Sequence, residues 1–214
     1  MSSFPNDILI KTLSSQDIPE VQELHVSLVL RSGHSHILIQ SHPKAKILPM
    51  KYPSSFFTQL LVLPARTCFV AYRRCQPNVP IAFISAVTRQ PASRHNDFVM
   101  NHLSPDSSRI LDLTKPFLEI LTLGVLPAYQ HCGLARRLIN CVVDDFHQSC
   151  AGKERSSGAL VSATVSTSNT SALKFYECMG MFISSEVIRN LYRTVSHGSR
   201  DAYLVVGTLY PCRK

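Results

Sequence analysis

A loop, a carboxylate and a helix carry the residues whose types and spacing could do chemistry. Gln130-His-Cys-Gly-Leu-Ala135 opens directly into a helical stripe, and Gly133 and Ala135 keep bulky side chains away from its first turn. The free N–H groups and positive dipole end of such a helix bind anions, a pyrophosphate above all. The spacing departs from Gly-x-Gly-x-x-Gly and from the Walker loop, which argues against dinucleotide and nucleoside triphosphate sites. Upstream, Glu119 interrupts an apolar run; partial desolvation raising its pKa would make it a base near neutral pH. Downstream, Asn169 heads a segment carrying Tyr176, whose phenol is suited to positioned proton donation. Cys132 lies in the loop without an adjacent histidine, which argues against a covalent acyl-cysteine route. Each group also has a plain structural reading: an αβ turn with a convenient glycine, a surface strand charge, and a capped amphipathic helix burying Ala172, Phe175 and Tyr176.

These residues need elements to hold them. Phe117 to Val125 is apolar and β-prone, Pro127 ends that strand, and Leu134, Leu138, Ile139, Val142, Val143 and Phe146 recur at helical spacing toward Cys150. Before them, Ile8 to Leu13 reads as a strand, followed by a helix capped by Ser15 or Asp17, with Pro19 in its first turn. A short helix begins at Ser54 or Ser55 and runs through Leu63. Thr67–Arg73 and Ile81–Val87 form an antiparallel hairpin joined through Gln76–Pro80. After them come a strand at Leu160–Val165, a capped helix over Thr167–Gly180, and strands near Phe182–Tyr192 and Asp201–Leu209. The order is that of one mixed α/β domain over 1–214. Loop insertions fall at 31–46 and 90–116, the second read as a mobile surface segment.

Composition limits the alternatives. The chain has 214 residues, 45% hydrophobic and 17% charged, so it suits one globular domain. No apolar run approaches the ~20 residues of a membrane span, and the start lacks the features of a secretory signal. Seven cysteines without Cys-x-x-Cys pairing fit reduced thiols in cytosol or nucleus and argue against structural zinc. The nine histidines are dispersed, which favours solvated rings over a metal site. The net charge of +8 is diffuse; it favours a polyphosphate cofactor or an encounter with ribosomal RNA. No basic stripe interleaves with aromatics, so specific nucleic-acid reading is not expected.

Gln130-x-x-Gly133-x-Ala135 resembles the Gln/Arg-x-x-Gly-x-Gly/Ala motif of the GCN5-related N-acetyltransferase (GNAT) superfamily, and Asn169-Thr-Ser-Ala-Leu-Lys-Phe-Tyr176 its Asn-x-x-Ala-x-x-Phe-Tyr signature. The resemblance implies the GNAT fold, a mostly antiparallel mixed sheet flanked by helices, and acetyl-CoA as cofactor. The residues it implies for binding that cofactor are Leu123, Val125, Gln130, His131, Cys132, Gly133, Leu134, Ala135, Arg136, Asn169, Ser171 and Tyr176, with Tyr176 also assisting thiolate departure. More narrowly, Leu48 to Phe57, Leu121 to Val125, Ser168 to Tyr176 and Asn190 to Arg193 look like the N-terminal acetyltransferase catalytic subunits of NatE and NatF type. That likeness implies an acceptor pocket for a substrate's first two residues. Leu48, Pro49, Met50 and Tyr52 form one wall and Leu191, Tyr192 and Val195 another, with Thr164 beside them. Apolar Leu48 and Met50 suit a methionine followed by an apolar residue. A structural Pro turn pinned by a core tyrosine is the other reading of that loop.

The family's catalytic tyrosine and histidine positions hold Glu119 and Thr164 here. Threonine cannot serve as a base near neutral pH. Glu119 lies eleven residues before Gln130, where lysine acetyltransferases of the superfamily carry their base glutamate. Three readings stay open: acetylation of protein N-termini, acetylation of lysine or small amines, and a weakly active or inactive subunit that binds partners. The resemblance points to NatA complex subunits and the ribosome as partners, and to a cytoplasmic location. The end at Tyr210-Pro-Cys-Arg-Lys214 lacks the amphipathic membrane segments of the NatF type.

Overall fold

The computed structural model describes residues 7–29, 52–91, 96–105, 112, 114–149, 158–193, 195 and 198–211. Seven strands form one sheet: β1 (Ile8–Thr12), β2 (Arg66–Arg73), β3 (Gln76–Arg89), β4 (Phe117–Val125), β5 (Ala159–Ser166), β6 (Phe182–Ile183) and β7 (Ala202–Leu209). Their spatial order is β1-β2-β3-β4-β5-β7-β6, antiparallel throughout except for the parallel pair β4 and β5. Among the described residues, five helices accompany the sheet: α1 (Ile18–Val29), α2 (Ser54–Val62), α3 (Asn96–His102), α4 (Leu134–Ser149) and α5 (Thr170–Cys178).

Two cores lie on opposite faces. On one, α4 buries Leu134, Leu138, Ile139, Val142, Val143 and Phe146 against Ala71, Ala82, Ile84, Leu118 and Ile120. The i, i+4, i+5 recurrence puts all six side chains on one stripe. On the other, α1 lays Val21, Leu24 and Leu28 with Phe57 and Leu60 of α2 over Val70, Tyr72 and Phe83. A 3₁₀ turn at Ser15–Asp17 precedes α1, and its capping box is built by Ser14 and Asp17. Asp17 is buried, paired to Lys11 at 2.8 Å and accepting from the Tyr72 hydroxyl at 2.8 Å.

Three expectations need correction. The hairpin turns at Arg74–Cys75, and Gln76–Pro80 already belongs to β3. The second insertion is not wholly a surface loop: α3 lies in it, and Val99 is buried with Phe117, Ile188, Leu204 and Val206. One buried valine in a polar segment gives too weak a periodicity to read. Finally, no single strand spans Phe182–Tyr192. β6 is two residues long, and the chain then bends and rejoins the sheet through the Ile188–Ala202 bridge. The insertion at 31–46 lies outside the described residues.

Candidate active site

The site exists because two parallel strands part. β4 and β5 are in register at Leu118–Val161, Glu119–Ser162 and Ile120–Ala163, after which β4 runs on to Val125 without β5 beside it. A bulge helps it turn away: Thr122 faces Ser85 but Ile120 faces Ala86, leaving Leu121 as the extra residue. The Leu121 carbonyl accepts from the Tyr52 hydroxyl at 3.1 Å. Between the parted strands opens a cavity of about 630 Å³, floored by Ile120 to Leu123 and Val125 and walled by the α4 and α5 N-terminal turns.

Loop chemistry shapes one wall. Pro127–Tyr129 is a 3₁₀ turn, and the Gln130 side chain donates to the Val125 carbonyl at 3.0 Å, tying loop to strand. His131 (φ 59°) and Gly133 (φ 82°) are both left-handed, which turns the chain sharply into α4; glycine is the residue that adopts this at no steric cost. Arg136 donates to the Cys178 carbonyl at 3.0 Å and so joins the α4 start to the α5 end. At the head of α5, the Asn169 Oδ1 accepts from the Ala172 N–H at 3.1 Å, an N-cap.

Of the residues expected to bind cofactor, Leu123, Val125, Gln130, His131, Gly133, Leu134, Ala135, Arg136, Asn169, Ser171 and Tyr176 line the cavity. Cys132 does not; its thiol donates to the Tyr129 carbonyl at 2.8 Å and turns back into the loop. Tyr52, Thr164 and Tyr192 line the cavity too, and the Tyr192 hydroxyl donates to the Thr164 carbonyl at 3.0 Å. Leu191 packs instead against the cluster holding Phe117, Ile188 and Leu204. Val195 is half-buried and not part of the lining, while Leu48, Pro49 and Met50 lie outside the described residues.

Glu119 sits one residue below the cavity floor. Its Oε2 accepts from Arg89 Nε and pairs with Arg89 Nη2, both at 2.6 Å. This carboxylate is close enough to Tyr52 to help hold its phenol protonated, after burial and Tyr192. Burial, then the nearby Tyr192, pushes the Tyr176 phenol up, and burial does the same for Tyr192. All three tyrosines are therefore neutral donors at physiological pH. Arg89 had no local signal in the sequence, because it reaches Glu119 only through the β3–β4 register. Tyr129, Ser166 and Cys178 also line the cavity without having been singled out.

The Acetyltransferase (GNAT) family model matches residues 35–181. The chain belongs to the GNAT acetyltransferases. Among solved structures it is similar to Arabidopsis thaliana NAA60 in complex with a bisubstrate analogue (21% identity, TM-score 0.64, 96% of this chain and 99% of that one). Arabidopsis thaliana Naa50 in complex with the bisubstrate analogue CoA-Ac-MVNAL shares the fold at 17% identity and TM-score 0.60, over 95% and 99% of the two chains. Chaetomium thermophilum Naa20, also with a bisubstrate analogue, does so at 17% and 0.59, over 94% and 86%. No curated protein matches the sequence. Acetyl-CoA is the cosubstrate of this GNAT chain, and the site fits it. Gly133 to Arg136, at the N-terminal turn of α4, line the cavity and present the first-turn N–H groups and positive dipole end that a pyrophosphate requires. Among those residues no group of His, Cys, Asp and Glu could hold a metal, and no helix is long and apolar enough to cross a membrane.

Proposed function

We propose that this protein transfers the acetyl group of acetyl-CoA directly to the free α-amine of protein N-termini, within a ternary complex. The supporting observation is the acceptor side itself: Tyr52, Thr164 and Tyr192, next to a carboxylate neutralised by Arg89. An α-amine has a pKa of about 8, so roughly a tenth is already nucleophilic at pH 7 and freeing it costs only ~1.4 kcal/mol. A lysine amine, with a pKa near ~10.4, would cost ~4.6 kcal/mol. Among the described residues the carboxylate beside this wall is ion-paired, which suits the easier acceptor.

In this reading Glu119, its Oε2 held by Arg89, receives the amine proton through water. The amine attacks the thioester carbonyl, the backbone at Leu123 and Val125 aligns the pantetheine and steadies the oxyanion, and the C–S bond breaks. The Tyr176 hydroxyl donates a hydrogen bond to the leaving sulfur. Its raised pKa exceeds the ~8.5 of an ordinary thiol, so it stabilises thiolate without full proton transfer, and the proton released by the amine completes the balance. A Met-apolar N-terminus, a cytoplasmic setting and partners of the NatA type belong to the same reading, through the family resemblance.

The test is mass spectrometry of acetyl transfer to Met-Leu, Met-Lys, Ser-Glu and blocked-terminus lysine peptides. α-Amine modification of Met-Leu is expected. Glu119→Gln should lower its rate about tenfold or more at pH 7 while acetyl-CoA still binds, with the deficit shrinking toward pH 9 as the amine deprotonates unaided. Transfer to internal lysines alone would turn the reading to lysine acetylation. A folded, acetyl-CoA-binding protein that modifies nothing would turn it to a partner-binding subunit.

A further inference from the structure

Among the described residues, arginines outnumber acids on the segments around Glu119 and Tyr192. Arg89 is satisfied by Glu119, but Arg66, on the neighbouring strand, adds a second cation within electrostatic reach of that pair. Its Nη1 is buried without a hydrogen-bond partner among the described residues, and its guanidinium lies 5.7 Å from the Phe56 ring centroid. Phe56 in turn stacks on Tyr52 with centroids 4.2 Å apart, so that cation stands one ring away from the proposed acceptor wall. On the opposite wall, Tyr192 is flanked by exposed Arg189 and Arg193, and its N–H donates to the carbonyl of exposed Arg200. The acids there are exposed Glu186 and half-buried Asp201, whose Oδ1 is engaged by the Asn190 N–H at 2.9 Å.

Among these described residues, Glu119, Glu186 and Asp201 stand against Arg66, Arg89, Arg189, Arg193 and Arg200, an excess of positive charge on the segments around Glu119 and Tyr192. That arrangement repels an ammonium unless the peptide brings its own negative charge, and it favours the neutral, nucleophilic amine once bound.

We propose that the acceptors are polypeptides with acidic side chains in the residues just after the first two, held by this guanidinium rim. The proposal rests on the N-terminal acetyltransferase reading and narrows its substrate class. It concerns the third and later residues, leaving the first two to the apolar pocket.

The experiment measures binding and turnover separately. Three labelled peptides share Met-Leu and continue with Glu-Asp-Glu, Ser-Gly-Ser or Lys-Arg-Lys; their affinity for the full chain loaded with CoA is read by fluorescence anisotropy. The acidic peptide should bind about tenfold or more tighter than the basic one at low salt, with the gap closing as salt is raised. R189E/R193E, at two exposed positions, should erase or invert the order while the thermal midpoint is unchanged. Equal affinities, or preference for the basic peptide, would overturn the proposal. So would displacement of the acidic peptide by an RNA oligonucleotide at equal concentration, which would mark the rim as a nucleic-acid surface. Turnover bears on the chemistry alone: selective binding without acetylation would reject the enzymatic reading and leave the rim's preference standing.

Discussion

At the scale of single residues, the site depends on a few conformations that ordinary side chains resist. Gly133 is left-handed at the entry to α4, and a Cβ there is strained by about 1–2 kcal/mol. Gly133→Ala should weaken acetyl-CoA binding about tenfold in calorimetry while the acceptor KM changes little. Asn169→Ala removes the cap of α5 and should cost about 1 kcal/mol in denaturant unfolding. Asp17 supplies a pH prediction. Burial opposes its charge, yet Lys11, Ser14 and Tyr72 together hold its carboxyl well below the usual range. A depressed carboxyl adds stability that is fully present above the unfolded value of about 3.9 and fades as pH falls toward the folded one. Thermal unfolding between pH 5 and pH 2.5 should therefore steepen in the wild type relative to Asp17→Asn, which lacks that linkage.

Elements decide whether those residues meet. The Tyr52 hydroxyl meets the carbonyl of the bulged Leu121, so a residue of the proposed acceptor wall also braces the strand that floors the cavity. Tyr52→Phe should lower kcat by severalfold and loosen acetyl-CoA, a pattern that loss of acceptor contact alone would not give. Docking of α3 is tested by Val99→Ala, expected to cost about 2 kcal/mol in chemical denaturation because its methyls are buried; a purely surface segment would show almost no change. Local features were legible in the sequence: the Asn169 cap, the Gly133 turn and the six-residue stripe of α4 are written within a few positions of one another. Features set by strand register were not. The Leu121 bulge depends on what β3 places opposite, and Arg89 meets Glu119 across 30 residues of chain. β6 escaped for another reason: Phe182 and Ile183 are β-prone, but pairing with β7 stops after two rungs.

For the molecule as a whole, the cavity is a place where the sheet withholds its own hydrogen bonds. Ligand that fills it stabilises the native state by mass action, about 2.7 kcal/mol at a hundredfold excess over Kd. For a chain of 214 residues that corresponds to a rise in Tm of roughly 5–10 °C with acetyl-CoA, measurable by scanning calorimetry. Alkylation gives an independent view of the same packing. Burial, then Asp17, pushes the Cys68 thiol up to about 12, whereas Cys75 and Cys178 are exposed. Iodoacetamide at pH 8 should therefore label Cys75 and Cys178 well before Cys68, as read by peptide mapping.

The three rungs that join β4 to β5 are also a seam between two lengths of chain: residues up to Val125 supply one side of the sheet, and those from Ala159 the other. Deuterium entering backbone amides would find this seam early, because few neighbouring bonds must open with it, whereas the eight-residue ladder of β5 with β7 should exchange late. A molecule lying across the parted strands would then act as a clasp, and the amides flanking the seam would slow together when it is in place.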